Sequence, residues 1–359
     1  MTTLLYILIT ALVIGFLTFI HEFGHFFFAR LFKVPVLEFA IGMGPKIFSW
    51  TGKHGTKYAL RAFPIGGFVQ MEGEEGTSEN PLGYDHLSPW KKIIVTSAGP
   101  LVNVIFAVLI MFILVATMPQ LGSTTVRELY FRTFPEGTDT SSMSESVIKV
   151  DDEIIKIGNV RVHTFEELNY EIMMQGYEPI DVTVIRDGEE KVLNDVIFPA
   201  TRDEQSGVVF GEMNFNVYAV SDPGFFDYLK HAFFRSTNMV KMVYDSLWGL
   251  ISGRFSIDAM SGPIGIVDSV GQVTEVSKEY DTLGPIINLI VLISMNLGIF
   301  NLLPIPALDG GRIVFHLIDG IAGRKVIKKE VEDAITTVTM VALLAFMLFI
   351  SIKDVIKLF

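Results

Sequence analysis

The chain contains 359 residues, of which 50% are hydrophobic and only 19% charged, and its formal net charge is −12. A soluble protein of this size rarely needs so much apolar surface, so the composition indicates a membrane protein. Cysteine is absent, which excludes a disulfide framework and leaves His and carboxylate side chains as ligands for any metal. The sequence contains no basic patch of the kind that would indicate a nucleic-acid partner.

Four uncharged stretches are long enough to cross a bilayer, because about 20 apolar residues span its hydrocarbon core. They are residues 2–20 (continuing past a polar cluster to residue 29), 93–118, 282–308 and 334–352. The first stretch lacks the basic start and the small-residue cleavage site of a secretory signal. We therefore interpret it as a retained span.

Basic residues flank these spans on one side, which favours the cytoplasm for that side. They are Arg30, Lys33, Lys91, Lys92, Arg324, Lys325, Lys328 and Lys329. Four spans then leave both termini and the long segment between the second and third spans outside. That segment, residues 119–283, is acidic, with 27 Asp and Glu against 13 Lys and Arg.

The first span is interrupted by the sequence HEFGH at residues 21–25. On a helix, His21 and His25 share one face and can bind one Zn²⁺, with Glu22 beside it as a general base. The alternative is a buried polar network that holds helices together. Ionisable groups inside a bilayer are costly and usually functional, which favours metal chemistry.

Catalytic zinc usually has three protein ligands, so a third must come from another segment. The third span is apolar until Asp309, and Pro304 and Pro306 forbid a continuous helix before it. The first and third spans cross in the same direction, so their late polar residues lie toward the same side of the bilayer. Asp309 is therefore the candidate third ligand, although an N-cap or an Asp-Gly turn is the alternative role.

The segments between the spans have patterns of their own. Residues 39–74 alternate short apolar runs with glycines, which predicts β-hairpins beside the membrane. Residues 119–200 predict an α+β module with a helix and a hairpin turn at Asp187–Gly188. Residues 225–255 predict one or two amphipathic helices at the membrane surface, which either clamp substrate or anchor the external module.

Together these motifs resemble those of the site-2 protease family of intramembrane zinc metalloproteases, and more narrowly the bacterial regulator-of-sigma-E protease group. HEFGH followed by NLLPIPALDGG at residues 301–311 is a highly specific combination. The likeness covers nearly the whole chain. It extends to SAGPLVNVIFA at 97–107, GGFV at 66–69 and SGPIGIVDSVG at 261–271.

The resemblance implies a role for each matching residue. It implies zinc ligands at His21, His25 and Asp309, and the general base at Glu22. It also implies that Asn301 lies near the reacting carbonyl. Apart from the resemblance, we expect an edge strand within residues 57–71 to bind extended substrate, with Gly67, Phe68 and Val69 as the candidate residues. Gly99, Asn103 and Asn296 are candidates for helix packing or interhelical hydrogen bonds. Asn103 is also a candidate to orient a ligand.

The external module resembles a PDZ domain through VDDEIIKIGN at residues 150–159. An Asp stands where the leading Gly is usual, and TDTSSMSES at 138–146 replaces the usual small-residue segment. These departures argue against capture of peptide ends. They favour a steric gate that excludes substrates with bulky external domains.

The sequence thus predicts a polytopic α-helical membrane protein with four transmembrane helices, a membrane-associated β-hairpin loop and an inserted α+β PDZ-like domain. The predicted parts are residues 1–118 (two spans, HExxH and the β-loop), 119–200 (PDZ-like domain), 201–281 (external linker and amphipathic helices) and 282–359 (two spans and the LDG motif). The resemblance places the chain in the bacterial cytoplasmic membrane, with its active site toward the cytoplasm.

The expected activity is zinc-dependent hydrolysis of peptide bonds within or near the transmembrane segment of single-span membrane proteins. Anti-sigma factors and remnant signal peptides in regulated intramembrane proteolysis are the expected substrates, and the lipid bilayer is the expected partner. A metal transporter is one alternative, but the ligands gather at one depth and no inverted repeat is present. An inert scaffold is another, although it has no need of Glu22 and a complete ligand set.

Overall fold

The computed structural model describes residues 2–74, 76–129, 148–203, 207–257, 260 and 262–357. Contacts divide the chain into two compact units, one of Met1–Ala107 with Ser261–Phe359 and the other of Val108–Met260. The predicted domain boundaries at residues 118, 200 and 281 stay predictions. The segment TDTSSMSES lies outside the described residues.

The helices are, in chain order, α1 (Thr2–Leu31), α2 (Pro89–Ala116), α3 (Phe165–Gln175), α4 (Phe225–Ile251), α5 (Pro263–Glu279), α6 (Gly284–Leu302), α7 (Asp309–Ala322) and α8 (Lys329–Lys357). The strands are β1 (Val36–Thr51), β2 (Lys57–Met71), β3 (Gly122–Leu129), β4 (Glu153–Ile157), β5 (Val160–Arg161), β6 (Ile180–Arg186), β7 (Glu189–Val196), β8 (Ala200–Arg202), β9 (Val209–Gly211) and β10 (Phe215–Ala219).

Helices α1, α2, α6 and α8 are long and apolar enough to cross a membrane. They confirm the four predicted spans and identify a multi-pass membrane protein. Helix α6 ends at Leu302, earlier than the predicted limit of the third span at residue 308. The prolines explain this end, because Pro304 and Pro306 cannot donate the backbone hydrogen bonds that continue a helix.

Strands β1 and β2 fold into a curled sheet that is more elaborate than the predicted short hairpins. Residues 36–41 pair with residues 67–71 on one side and with 57–60 on the other, and residues 46–51 pair with 57–61. Residues 67–71 therefore form one edge, and within the described ranges no further strand pairs with them. The prediction of an edge over residues 57–71 is wrong for residues 57–60, which are paired on both sides. Val69 and Met71 point into a core shared with Ala29, Val34 and Phe39, which fixes this edge against α1.

The second unit has an antiparallel path of strands in the order β10-β3-β4-β6-β7, with β5 paired to β4. Thr164 caps α3 by accepting a hydrogen bond from the backbone of Glu167, and Leu168 and Ile172 of α3 are fully buried in the core. Positive φ angles at Asp187 and Gly188 confirm the predicted turn between β6 and β7. The unit is thus α+β, while its likeness to a PDZ domain stays a prediction.

The predicted amphipathic segment at residues 225–255 is one helix, α4, and not two. Its exposed face carries large apolar side chains, with Phe226 80% and Trp248 69% exposed. Its opposite face buries His231, Ala232 and Val243. A helix divided in this way suits an interface between protein and an apolar environment.

Helix α8 is attached to the start of α5 by a buried carboxylate. Asp354, 8% exposed, accepts hydrogen bonds from the backbone nitrogens of Gly262 at 2.7 Å and Gly265 at 3.2 Å. Its carboxylate therefore satisfies donors that have no partner in the first turn of a helix, and its charge favours that helix end.

We expect Asp354→Ala to destabilise the protein, because it leaves two backbone donors without their acceptor. Each backbone donor that loses its acceptor lowers the free energy of unfolding by about 1–3 kcal/mol. Thermal unfolding in detergent at one scan rate should show a lower midpoint for Asp354→Ala than for the wild type. The control is Asp333→Ala on the same helix, since the Asp333 side chain is 59% exposed. Equal midpoints for the two variants would contradict this role.

Candidate metal centre

The structure brings the three predicted ligands together at one point. His21 and His25 are 8% and 9% exposed, and their Nε2 atoms lie 3.2 Å apart. The Asp309 Oδ2 atom lies 3.0 Å from Nε2 of His21 and 3.4 Å from Nε2 of His25. The i, i+4 spacing on α1 produces the histidine pair, and the chain returns 288 residues later with the carboxylate.

Asp309 reaches this point because the chain turns sharply between α6 and α7. A Cβ atom at Gly310 would lie 2.1 Å from the Leu303 carbonyl oxygen, and one at Gly311 would lie 2.4 Å from that of Ile305. Only glycine permits such close backbone approach. Asp309 is the first residue of α7, where the helix dipole favours a carboxylate.

The donor set fits a zinc ion. Its ligand atoms all lie within 4.8 Å of one another. Zinc bonds of about 2.0–2.1 Å in a tetrahedron place neighbouring donors about 3.3 Å apart, close to the three separations seen here. The other ring nitrogen of His25, Nδ1, lies 2.9 Å from the Val95 carbonyl oxygen and can donate to it, which leaves the Nε2 lone pair free for a metal.

Glu22 lies beside these donors in a cavity of about 630 Å³. The edge of the curled sheet forms one wall through Gly67, Phe68 and Val69. A Cβ atom at Gly67 would lie 3.1 Å from Glu22 Cγ, so this edge passes directly alongside the predicted general base. The cavity thus combines the metal donors, the Glu22 carboxylate and the edge of the curled sheet.

Comparison with known proteins identifies the family. The model of peptidase family M50 matches residues 9–346. The chain belongs to peptidase family M50, the site-2 protease family. It is accordingly a zinc metalloprotease, which confirms the predicted family, enzyme class and cofactor.

Three bacterial relatives, each provisionally named as a zinc metalloprotease, are similar over nearly their whole lengths. The protein from Fusobacterium nucleatum is 35% identical over 98% of this chain and 99% of its own. The protein from Clostridium acetobutylicum is 33% identical over 98% and 97%. The protein from Clostridium perfringens is 30% identical over 98% and 99%.

The predicted roles of two asparagines of α6, Asn301 and Asn296, stay predictions. Asn301 donates its amide to the Leu297 carbonyl oxygen at 2.9 Å and is not among the cavity-lining residues, so its placement beside the reacting carbonyl stays a prediction. Ser294 forms a hydrogen bond from α6 to α2, since its hydroxyl donates to the Asn103 carbonyl oxygen at 2.9 Å. The interhelical hydrogen bond expected of Asn296 stays a prediction.

The sequence interpretation missed Glu74 and Arg312, which line the cavity that contains Glu22 and the metal donors. The Arg312 guanidinium donates to the Glu74 carboxylate at 2.6 Å. A signal for Arg312 existed, because it follows Asp309 by three residues and so shares its side of α7. Both residues also line a neighbouring cavity of about 480 Å³ that contains His316.

His316 itself does not line the cavity that contains Glu22. Its Nε2 atom lies 3.0 Å from the Tyr84 hydroxyl. Burial, assisted by the positive charges of Lys92 and Arg312, lowers the pKa of His316 to about 4. The imidazole is therefore neutral at pH 7 and adds no positive charge beside Arg312.

We expect Glu22→Gln to abolish most proteolysis without removing the metal, because the amide cannot accept a proton. General-base catalysis contributes about 10²–10⁴-fold in rate. Asp309→Ala should instead lose zinc. Zinc content by atomic absorption and cleavage rate, measured on the same samples, separate the two effects. Glu279→Gln, at an exposed position on α5, is the matched control. Loss of zinc from Glu22→Gln would identify Glu22 as a ligand instead of the base.

Proposed function

We propose that this metalloprotease hydrolyses peptide bonds within or near the transmembrane segment of single-span membrane proteins, in regulated intramembrane proteolysis. The observation that carries this proposal is that both histidines and Glu22 lie on a helix apolar enough to span a membrane, in a cavity with a free strand edge. Proposed substrates are anti-sigma factors and remnant signal peptides, in line with the resemblance to the regulator-of-sigma-E protease group.

In the proposed mechanism the metal and Glu22 have different roles. His21, His25 and Asp309 would hold zinc, whose Lewis acidity would polarise a carbonyl and make water more acidic. The Glu22 carboxylate accepts a proton from the attacking water and then donates it to the departing amine. The buried histidines and the fixed turn at Gly310 hold the donor atoms in place, so little reorganisation accompanies the reaction.

The substrate must be extended where it is cut, since a helix hides its peptide bonds. Each freed backbone group then needs a partner from the protein, because the surrounding hydrocarbon offers no hydrogen bonds in its place. The unpaired edge at residues 67–71 offers such partners by addition of a strand. Gly67 lies against Glu22, so a strand paired here runs past the base.

The external module and α4 have proposed roles in substrate selection. A steric gate formed by the PDZ-like module excludes substrates with bulky external domains, and its departures from the PDZ pattern argue against capture of peptide ends. The exposed apolar face of α4, with Phe226, Phe233 and Trp248, suits contact with the membrane surface or with substrate. The basic residues that flank the spans support a cytoplasmic-membrane orientation with the active site toward the cytoplasm.

The decisive experiment is cleavage of a panel of tagged single-span substrates by the purified protein in detergent, with Glu22→Gln in parallel. A product formed only by the wild type, with equal zinc in both samples, supports the proposal. Cleavage of soluble unfolded proteins in preference to every membrane substrate would contradict it. Zinc uptake into vesicles by both forms, without cleavage, would favour a transporter.

We expect proline in the edge strand to prevent cleavage by blocking pairing with substrate. Along a strand, alternate backbone N–H groups point toward the paired neighbour and toward the open edge. Phe68→Pro and Val69→Pro therefore remove N–H donors that point in opposite directions. Only one of the two variants removes a donor that points toward the open edge. That variant should lose cleavage while it retains zinc and its unfolding midpoint. Comparing the two is necessary because the Val69 side chain is buried, so a change there also affects the core.

Ile47→Pro is the control for this pair. Ile47 lies at a register shift on the opposite edge of the same sheet and is 68% exposed. Proline is tolerated at bulges and edges, so this variant should keep its activity. Full activity of both folded edge variants would exclude strand addition at residues 67–71, because one of the two removes a donor that points toward the open edge.

A further inference from the structure

Asn103 is a buried amide in a membrane helix, directly beside one of the metal ligands. It is 0% exposed, and its Nδ2 atom lies 3.4 Å from Nδ1 of His21. Its Oδ1 atom is buried and has no hydrogen-bond partner among the described residues. A buried polar atom without a partner costs free energy and calls for an explanation.

The explanation follows from the chemistry of a histidine ligand. His21 points Nε2 at Asp309 and His25, so Nε2 must carry a lone pair to bind zinc. A neutral imidazole then has its proton on Nδ1, which needs an acceptor. The oxygen and nitrogen of an Asn side chain exchange places by a half-turn of the amide, and the hydrogen-bond network decides between them. The half-turn brings Oδ1 of Asn103 to the Nδ1 proton of His21.

We propose that Asn103 is a positioning residue for His21. Its amide oxygen accepts the Nδ1 proton and fixes the tautomer and ring orientation in which Nε2 binds zinc. The inference rests on the role of His21 as a zinc ligand within the proposed function. Val95 on the same helix has the equivalent role for His25, since its carbonyl oxygen lies 2.9 Å from Nδ1 of His25.

Gly99 supports this assignment from the middle of the same helix face. Residues 95, 99 and 103 follow one another at four-residue spacing and so share one side of α2. A Cβ atom at Gly99 would lie 2.3 Å from Nε2 of His25, so any side chain there would displace the imidazole. From sequence, Gly99 is a candidate for helix packing and Asn103 a candidate for packing or for orienting a ligand. In the structure both residues lie against the imidazole rings, Gly99 against His25 and Asn103 against His21.

Ser294 allows the packing of α2 to be tested separately from the contact with His21. Its hydroxyl, 0% exposed, donates to the backbone carbonyl of Asn103 and leaves the side-chain amide untouched. Loss of this hydroxyl loosens the contact between α2 and α6 but keeps an acceptor next to His21. Ser294→Ala is therefore the matched control for a purely structural effect.

The experiment measures zinc affinity of the full-length protein in detergent, by competition with a chromophoric chelator. Removing a partner that orients a metal-binding histidine weakens metal binding by about 10–100-fold. We expect Asn103→Leu to show a loss of that size. Asn103→Asp, which keeps an acceptor oxygen, should stay within about threefold of the wild type, as should Ser294→Ala. Cobalt absorption spectra provide a second readout, because a misplaced His21 changes the ligand field.

The possible outcomes separate this inference from the proposed function. Wild-type affinity and an unchanged cobalt spectrum in folded Asn103→Leu would overturn the role of Asn103 and leave the protease proposal intact. Equal losses in Asn103→Leu and Ser294→Ala would also overturn it, since packing alone would explain them. Absence of zinc binding by the wild type would instead refute the ligand assignment. If Asn103→Leu does not fold, the smaller Asn103→Ala replaces it with the same expected loss.

Discussion

The architecture depends on one constraint: polar atoms at membrane depth must find their partners within the protein. The two histidines and Asp309 satisfy it together, since each Nε2 atom faces the same carboxylate oxygen. Their Nδ1 atoms face α2, where Val95 and Asn103 lie. The metal centre is therefore also the place where α1, α2 and the turn before α7 are joined.

The irregular backbone before α7 obeys the same constraint. Residues 303–308 are not helical, yet the Leu308 nitrogen donates to the Ile305 carbonyl and the Gly311 nitrogen donates to the Leu308 carbonyl. Thr336 on α8 reaches the Pro306 carbonyl oxygen at 3.3 Å. The break that brings Asp309 to the histidines is thus supported from two sides. The prolines end α6, and the glycines after Asp309 let the chain fold back tightly.

Much of this centre could be predicted from the sequence because its signals are local. Four-residue spacing on a helix determines that His21 and His25 meet, and the position of Asp309 late in its span brings it to the same side. The limits of α6 follow from its prolines. Length and composition alone identify the spans, because the bilayer fixes how many apolar residues are needed.

The remainder depends on contacts that no local pattern encodes. The motif makes Asn103 a candidate to orient a ligand, but nothing near it in the sequence indicates that this ligand is His21, which lies 82 residues earlier. The curled sheet pairs residues 36–41 with two different parts of β2, whereas alternation predicts strands without specifying their partners. Asn301 shows a different limit. The motif implies a role beside the reacting carbonyl, whereas the structure shows its amide donating to the backbone of its own helix, so that role stays a prediction.

The positions of His21, His25 and Glu22 around α1 explain why the metal donors and Glu22 point in different directions within one cavity. Successive residues of a helix are about 100° apart, so Glu22 cannot point in the same direction as His21. The histidines face α2 and Asp309, while Glu22 faces the sheet edge at Gly67. A side chain at position 67 would press on Glu22 from the side on which substrate is proposed to bind. Glycine there leaves room for the Glu22 side chain and brings the backbone of the sheet edge close to both Glu22 and the metal donors.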